Sequence, residues 1–167
     1  KTDSVLEALI LEVNLIKKHQ PRYNTKEKDN KSFNWVVITR EEFPRVLVVR
    51  GRDLEINWEP EAIRYTFGPY PNGLQLREAL KIIRKIFPFS DKCGPNAKKP
   101  CFDFQIGQCP GVCNGFISKS DYSKLIQNIR LFFEGKKPEL LKKLTREMKS
   151  YAKLQEFEKA EDMKRTI

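Results

Sequence analysis

The chain has 167 residues, of which 40% are hydrophobic, so it has room for one ordinary domain or two small ones with modest cores. No apolar run approaches the roughly 18 residues of a membrane span, and no signal peptide precedes the four cysteines, so we expect a soluble, intracellular protein and not a membrane or secreted one. The 32 Lys and Arg residues exceed the 22 Asp and Glu residues and give a net charge of +10, which favours nucleic acid over membrane as the large partner.

The chain is predicted to begin with an amphipathic helix. Apolar residues with the three-four spacing of one helix face run from residue 3 to about residue 18. Asp3 or Ser4 is the expected N-cap, and Pro21 ends the pattern. The apolar positions are Leu6, Leu9, Ile10, Val13 and Ile16.

A β-hairpin is predicted next. The β-rich runs Trp35–Ile38 and Val46–Val49 flank a polar turn. Tyr65–Tyr70 begins as a further short strand, which we expect to break at Gly68-Pro69. Helical spacing then runs from residue 74 to about residue 87 and stops at Pro88.

Four cysteines occupy the turn-rich stretch that follows, at Cys93, Cys101, Cys109 and Cys113. Neighbouring glycines and prolines supply tight turns that can bring four thiolates to one point, which predicts a metal or iron–sulfur site. The gaps of seven, seven and three residues do not choose between zinc and an iron–sulfur cluster. Two disulfides are the next alternative, and four unrelated buried thiols the last.

The C-terminal part is predicted to be helical. Ser118 caps one amphipathic helix, which Gly135 ends. Pro138 begins a second, and its apolar face continues on a possible partner helix. Those apolar positions are Leu141, Leu144, Met148 and Tyr151, followed by Phe157, Ala160 and Met163.

Several motifs in one order give the sequence a resemblance to a known family. They are Glu7–Asn24, Phe67–Tyr70, Pro100–Cys113 and Phe157–Ala160. Each is weak alone, but the ordered set resembles the UvrC family, the incision subunit of the bacterial UvrABC nucleotide-excision-repair nuclease. The resemblance covers essentially the whole chain.

The resemblance implies an α+β fold in four segments. Residues 1–30 would be the C-terminal helix of an α/β GIY-YIG nuclease domain, of which this chain holds a remnant. Residues 31–89 would be a β-hairpin plus helix linker domain, residues 90–117 the cysteine-rich cluster region, and residues 118–167 a helical region with the start of a UVR-like hairpin.

The resemblance also assigns a metal role to Glu12. In GIY-YIG domains a helix supplies the glutamate that holds Mg²⁺ or Mn²⁺, and a hard cation of this kind polarises the scissile phosphate. The family's tyrosine motifs and arginine lie upstream of that glutamate, whereas Arg22 and Tyr23 follow it. We therefore expect a fragment of a DNA endonuclease that is inactive alone.

Cofactor and location follow from the same resemblance. The four cysteines would hold an iron–sulfur cluster of the [4Fe–4S] kind, with zinc as an acceptable substitute and Cys93 as the least closely matched ligand. Such a centre would be structural or redox-responsive. A bacterial cytoplasmic protein of the SOS response is implied.

His19 is the single histidine of the chain, so a phosphodiesterase whose mechanism relies on histidines is excluded.

The expected partners are damaged double-stranded DNA and UvrB, with UvrA acting upstream, and no membrane. Contacts with UvrB are predicted for Leu144, Met148, Phe157 and Ala160. Contacts with DNA are predicted for Lys17, Lys18, Arg22, Tyr23 and Asn24, and for Arg45, Arg50, Arg52 and Arg64, with Phe33 or Trp35 available for stacking.

Three alternatives stay open at this point. The chain can be a non-catalytic DNA- or protein-binding module organised by its four-cysteine site. The thiols can instead form a redox switch. The positive charge can also belong to an ordinary solvated surface.

Overall fold

The computed structural model describes residues 2, 4–20, 33–95, 97 and 99–166. This part of the chain forms an antiparallel sheet and seven helices, which confirms the α+β class. The strands are β1 (Asn34–Thr39), β2 (Val46–Arg50) and β3 (Ile63–Tyr70). The helices are α1 (Val5–His19), α2 (Gly51–Asn57), α3 (Gly73–Ile86), α4 (Phe102–Gln105), α5 (Lys119–Phe133), α6 (Lys137–Lys153) and α7 (Phe157–Thr166).

The predicted β-hairpin is confirmed. β1 pairs with β2 in an antiparallel register that places Trp35 opposite Val49 and Ile38 opposite Val46. β1 is the central strand of the order β2-β1-β3, and its residues 36–39 are buried. β-Branched side chains pack well on both covered faces of such a strand.

The predicted break at Gly68-Pro69 is wrong. β3 continues through this pair to Tyr70, which lies opposite Asn34. Gly68 has φ +142°, and a Cβ there would lie 3.0 Å from Cε3 of Trp35, so only glycine allows the ring to pack on this backbone. β3 is an edge strand, where the missing N–H of proline is tolerated.

The main helices begin and end where the sequence indicates. Ser4 caps α1 by accepting a hydrogen bond from the Glu7 N–H at 3.2 Å, whereas Asp3 and Pro21 lie outside the described residues. Ser118 caps α5 by accepting from the Asp121 N–H. The seven-residue helix α2 was not predicted, because it is too short to show a helical period.

One hydrophobic core joins elements from all parts of the described chain. Ile10 and Val13 of α1 are buried in the same cluster as Leu140 and Leu144 of α6. The Asn14 side-chain amide also donates to the Phe133 carbonyl at 3.2 Å. The other buried members are Val36, Ile38, Val46, Tyr70, Leu76, Leu80, Ile83, Phe87, Phe89, Val112, Tyr122, Ile126, Ile129 and Phe133.

None of the described helices is both long enough and apolar enough to cross a membrane.

Candidate metal centre

The four cysteines converge in the loop between α3 and α5. Their Sγ atoms all lie within 4.8 Å of one another. Cys109 and Cys113 are buried, whereas Cys93 and Cys101 are half-buried. All four are free thiols, and the 3.5 Å between Sγ of Cys93 and Sγ of Cys109 is well beyond the roughly 2.05 Å of a disulfide bond. This geometry allows the cluster to bind a metal.

The turn between Cys109 and Cys113 depends on Gly111. Its φ of +91° lies in the left-handed region, and a Cβ there would lie 2.5 Å from Cβ of Phe116. Residues 112–114 follow as a 3₁₀ turn that buries Cys113. The backbone N–H of Cys101 donates to Sγ of Cys113 at 3.3 Å. The turn therefore directs both buried thiols toward the other two.

Arg84 of α3 holds the cysteine loop through four hydrogen bonds. Its guanidinium donates to both carboxylate oxygens of Asp91, at 3.2 and 3.0 Å, and to Oδ2 of Asp103 at 3.0 Å. Its Nε donates to the Gln108 carbonyl at 2.9 Å. Asp91 precedes Cys93, Asp103 follows Cys101 and Gln108 precedes Cys109. The Arg84 side chain is thus hydrogen-bonded to residues close to three of the four cysteines.

Nothing in the sequence pattern marked Arg84. It occupies an ordinary basic position on the helix that spans residues 73–86, next to Lys85. The available signal was weak: Asp91 and Asp103 are the two carboxylates of residues 91–120, and a cation was needed to compensate them.

Tyr122 of α5 connects the start of the cysteine loop to Pro44, which precedes β2. Its buried hydroxyl donates to the Pro44 carbonyl at 2.7 Å and accepts from the Ser90 N–H at 3.1 Å. Ser90 Oγ in turn donates to the Cys93 carbonyl and lies 3.2 Å from Sγ of Cys93. Burial holds the pKa of Tyr122 well above its ordinary value, so the hydroxyl keeps its proton for this bridge.

Burial raises the pKa of the Cys109 thiol to about 12, while the N–H groups of Gly111 and Val112 act in the opposite direction. Four thiolates so close together repel one another unless a cation lies among them. Metal binding at this site therefore has to displace protons from the thiols.

The spacing of the four sulfur atoms can be compared with the geometry of the two expected occupants, zinc and an iron–sulfur cluster. A single tetrahedral Zn²⁺ with bonds of about 2.3 Å places neighbouring sulfurs about 3.8 Å apart, which agrees with the spacing described here. A [4Fe–4S] cluster binds each cysteine to a different iron and needs a wider set of sulfurs. The half-buried Cys93 and Cys101 are the thiols with room to move outward. Either occupant would be bound by all four thiolates and would have no open coordination position for a reacting water.

The predicted metal glutamate lies elsewhere. Glu12 is exposed on α1. Among the described residues, the cysteines are the one group of three or more His, Cys, Asp or Glu side chains close enough together to hold a metal ion. The structure thus gives Glu12 no companion ligand from residues 4–20, 33–95 or 99–165.

The predicted DNA-contacting residues that the structure describes belong to several different elements. Lys17 and Lys18 are exposed in the last turn of α1, whereas Arg22, Tyr23 and Asn24 lie outside the described residues. Arg45 forms an ion pair with Glu41. The other predicted arginines, Arg50, Arg52 and Arg64, are exposed, and the rings of Phe33 and Trp35 are half-buried.

The predicted UvrB-contacting side chains are divided between core and surface. Leu144 is fully buried in the chain's own core. Met148 and Ala160 are half-buried, and Phe157 is largely exposed at the start of α7. The structure therefore leaves Phe157 as the most accessible member of this set.

Comparison with known proteins adds the family. Residues 33–132 match the family described as "UvrC/Cho excinuclease, middle domain". The chain is 40% identical over 161 residues to the UvrABC system protein C of Synechocystis sp., covering 95% of this chain and 25% of the relative. It is 42% identical over 170 residues to the protein of the same name from Clostridium beijerinckii, covering 98% of this chain and 26% of the relative.

The chain thus spans about a quarter of the length of these relatives. No solved structure matches it. A family match across residues 33–132 and about 40% identity over nearly the whole chain establish that this chain belongs to the UvrC/Cho excinuclease family and contains its middle domain.

Proposed function

We propose that this chain is the central part of a UvrC-type incision subunit, in which a four-thiolate metal centre orders a DNA-binding scaffold. The observation that carries the proposal is the convergence of Cys93, Cys101, Cys109 and Cys113 inside the segment that matches the family's middle domain. The whole protein would incise damaged DNA in nucleotide excision repair, as the relatives' name, UvrABC system protein C, suggests.

In this proposal the chain itself is a scaffold. Phosphodiester hydrolysis needs a metal-bound or base-activated water and groups that stabilise charge on the phosphate. Glu12 would supply one carboxylate toward Mg²⁺ or Mn²⁺ from the last helix of a GIY-YIG domain, covering residues 1–30. The other groups would come from the parts of the relatives that this chain does not match.

The centre would hold an iron–sulfur cluster or zinc, and two different observations support these two occupants. The family resemblance favours a [4Fe–4S] cluster, whereas the spacing of the sulfurs favours a single tetrahedral ion. In both cases the metal would neutralise the thiolates and lock residues 90–117 as one unit between α3 and α5.

The partners would be damaged duplex DNA and UvrB, in the bacterial cytoplasm. The net charge of +10 supports the first partner. The exposed Phe157, at the beginning of the second helix of a UVR-like hairpin, supports the second, since an accessible aromatic ring is a usual anchor in a protein interface.

Visible absorption and elemental analysis of the chain purified without oxygen test the metal centre. A brown protein with iron and inorganic sulfide identifies the cluster, and a colourless protein with one zinc per chain identifies the single ion. Cys109→Ala should abolish either signal, whereas Gln105→Ala, an exposed change in the same loop, should leave it intact. A wild-type chain without metal would overturn the proposal for this centre.

Incision of a lesion-containing duplex in Mg²⁺ tests the scaffold role. We expect none from this chain alone. Lesion-dependent cutting would show that this chain contains a complete active site and would contradict the scaffold assignment.

A further inference from the structure

We propose that one face of α6 binds the phosphate backbone of duplex DNA. The face is formed by Lys142, Arg146, Lys149 and Lys153 and is called here the basic face. This inference rests on the proposed DNA-binding function and assigns that function to a surface.

Helical geometry places these four cations on one side of one helix. They are separated by four, three and four positions, so at about 100° per residue they lie within about 60° of one another around the axis of α6. All four are exposed. Leu140 and Leu144, which are buried in the core, lie on the opposite side of the helix. The packing of α6 on the core therefore turns the basic face toward solvent.

No carboxylate compensates the basic face within the part of the chain that the structure describes. None of its four residues forms an ion pair with another described residue. Glu147 is the one acidic residue among positions 142–153, and it is half-buried on another side of α6, where its charge acts on Lys124 and Lys143. Like charges three and four positions apart on a helix repel one another. A polyanion that binds the basic face would relieve this repulsion.

α7 provides the contrast within the same chain. It carries three acidic and three basic residues. Lys164 and Arg165 both pair with Glu161, and Lys159 pairs with Glu156, which immediately precedes α7. Mixed signs with pairs of this kind are usual for a helix face that meets only water. The single sign of the basic face is therefore a property of α6 and not of every charged helix in the chain.

The length of the basic face fits a DNA backbone. Its four residues span 11 positions, or about 16 Å along the helix axis, and one strand of a duplex carries about five phosphates over that distance. DNA supplies negative charge at this regular interval along its whole length, whereas a protein would need a dedicated row of carboxylates. Lysine and arginine contacts with phosphates position a protein on DNA without reading its sequence. The basic face would therefore bind duplex of any sequence.

The test is a fluorescence anisotropy titration of a fluorescein-labelled DNA duplex with the metal-loaded chain, repeated between about 50 and about 200 mM salt. The test variant changes all four residues of the basic face to glutamine. Each lost phosphate contact lowers the slope of log binding constant against log salt concentration by about 0.9, so the variant should lose about 3–4 from the magnitude of the slope. It should also bind at least about tenfold more weakly at about 100 mM salt.

A matched variant controls for net charge. It changes four cations that already pair with carboxylates to glutamine, and so removes the same net charge; these are Lys124, Lys159, Lys164 and Arg165. Because their charge is already compensated, the slope should change by less than about 1.

Two further measurements separate binding from folding. A variant with Lys142→Arg, Lys149→Arg and Lys153→Arg keeps the charge and should bind the duplex as the wild type does. Without DNA, the glutamine variant of the basic face should have the Tm of the wild type or a higher one, since repulsion within α6 is removed.

The possible failures are distinguishable. Wild-type affinity and slope in the glutamine variant of the basic face would overturn the assignment to α6 and leave DNA binding intact. Equal losses in the two glutamine variants would also overturn it, because net charge alone would then explain binding. Tighter binding of polyglutamate than of duplex would assign the basic face to an acidic protein instead. A wild type that binds no duplex at about 50 mM salt would overturn the proposed DNA-binding function together with the basic face.

Discussion

Replacing Arg84 by methionine tests how the cysteine loop is held. Methionine keeps most of the apolar length of arginine but lacks the guanidinium, whose carbon lies 5.0 Å from the centroid of the Phe89 ring, so this cation–π contact is lost with the charge. The change removes the charge and all four described hydrogen bonds to Asp91, Asp103 and Gln108. Any effect then reports the contacts of the guanidinium, polar and cation–π, and not the loss of the apolar stem.

The expected loss in the free energy of unfolding follows from the burial of Arg84 and of its two carboxylate partners. Breaking a fully buried ion pair costs about 3–5 kcal/mol, because the remaining charge has no partner. The Arg84 side chain is 12% exposed, but those of Asp91 and Asp103 are 25% and 29% exposed, so water can solvate part of the abandoned charge. We therefore expect a loss of about 2–3 kcal/mol in the free energy of unfolding. In a chain of this length that corresponds to a Tm lower by about 4–12 °C.

Thermal unfolding of the metal-loaded chain, followed by circular dichroism, measures the loss. Arg77→Met is the matched control, since Arg77 is exposed one heptad earlier on α3, and it should change stability by less than about 0.5 kcal/mol. Adding Asp103→Asn to Arg84→Met should restore part of the loss, because one uncompensated carboxylate disappears. Equal Tm values for Arg84→Met and Arg77→Met would refute the reasoning.

The rest of the cysteine loop should respond to changes in its thiols, its tyrosine support and its glycines. Because burial raises the pKa of the Cys109 thiol to about 12, metal uptake releases a proton from it. The measured metal affinity should therefore rise from about pH 6 to about pH 8, and an affinity that does not change with pH would contradict this. Tyr122→Phe leaves a buried N–H and a buried carbonyl without their bridge and should cost about 1–3 kcal/mol in urea unfolding, whereas an unchanged midpoint would show that the bridge is unimportant. Gly111→Ala should cost about 1–3 kcal/mol more than Gly107→Ala, since both glycines have positive φ but only the added Cβ at Gly111 meets neighbouring atoms; equal costs would argue against a packed turn.

Local patterns were sufficient where neighbouring residues decide the structure. The hairpin follows from β-branched runs on either side of a polar turn, and α5 follows from the Ser118 cap and the Gly135 stop. The convergence of the cysteines also follows locally, because the turn residues lie among them. The signals for these features lie within each segment, although the contacts that they predict, such as the one between Cys93 and Cys109, join residues 16 positions apart.

Other features depend on distant residues and could not be predicted. Whether β3 passes through Gly68-Pro69 depends on β3 being an edge strand and on the Trp35 ring packing over Gly68. The role of Arg84 depends on partners as many as 24 positions away. Likewise, whether a leucine of an amphipathic helix lies in the core, as Leu144 does, depends on where the other helices pack.

The shared core has a consequence for where a chimera of this chain can be joined. α1 carries Glu12 on its exposed face, while its Ile10 and Val13 are buried among residues of the sheet, α3, α5 and α6. A chimera joined after residue 30 would replace these side chains with those of another protein and leave a hole in the scaffold. A join before residue 4 keeps the helix with its core. The helix that carries Glu12 thus shares its core with the segment that matches the middle domain.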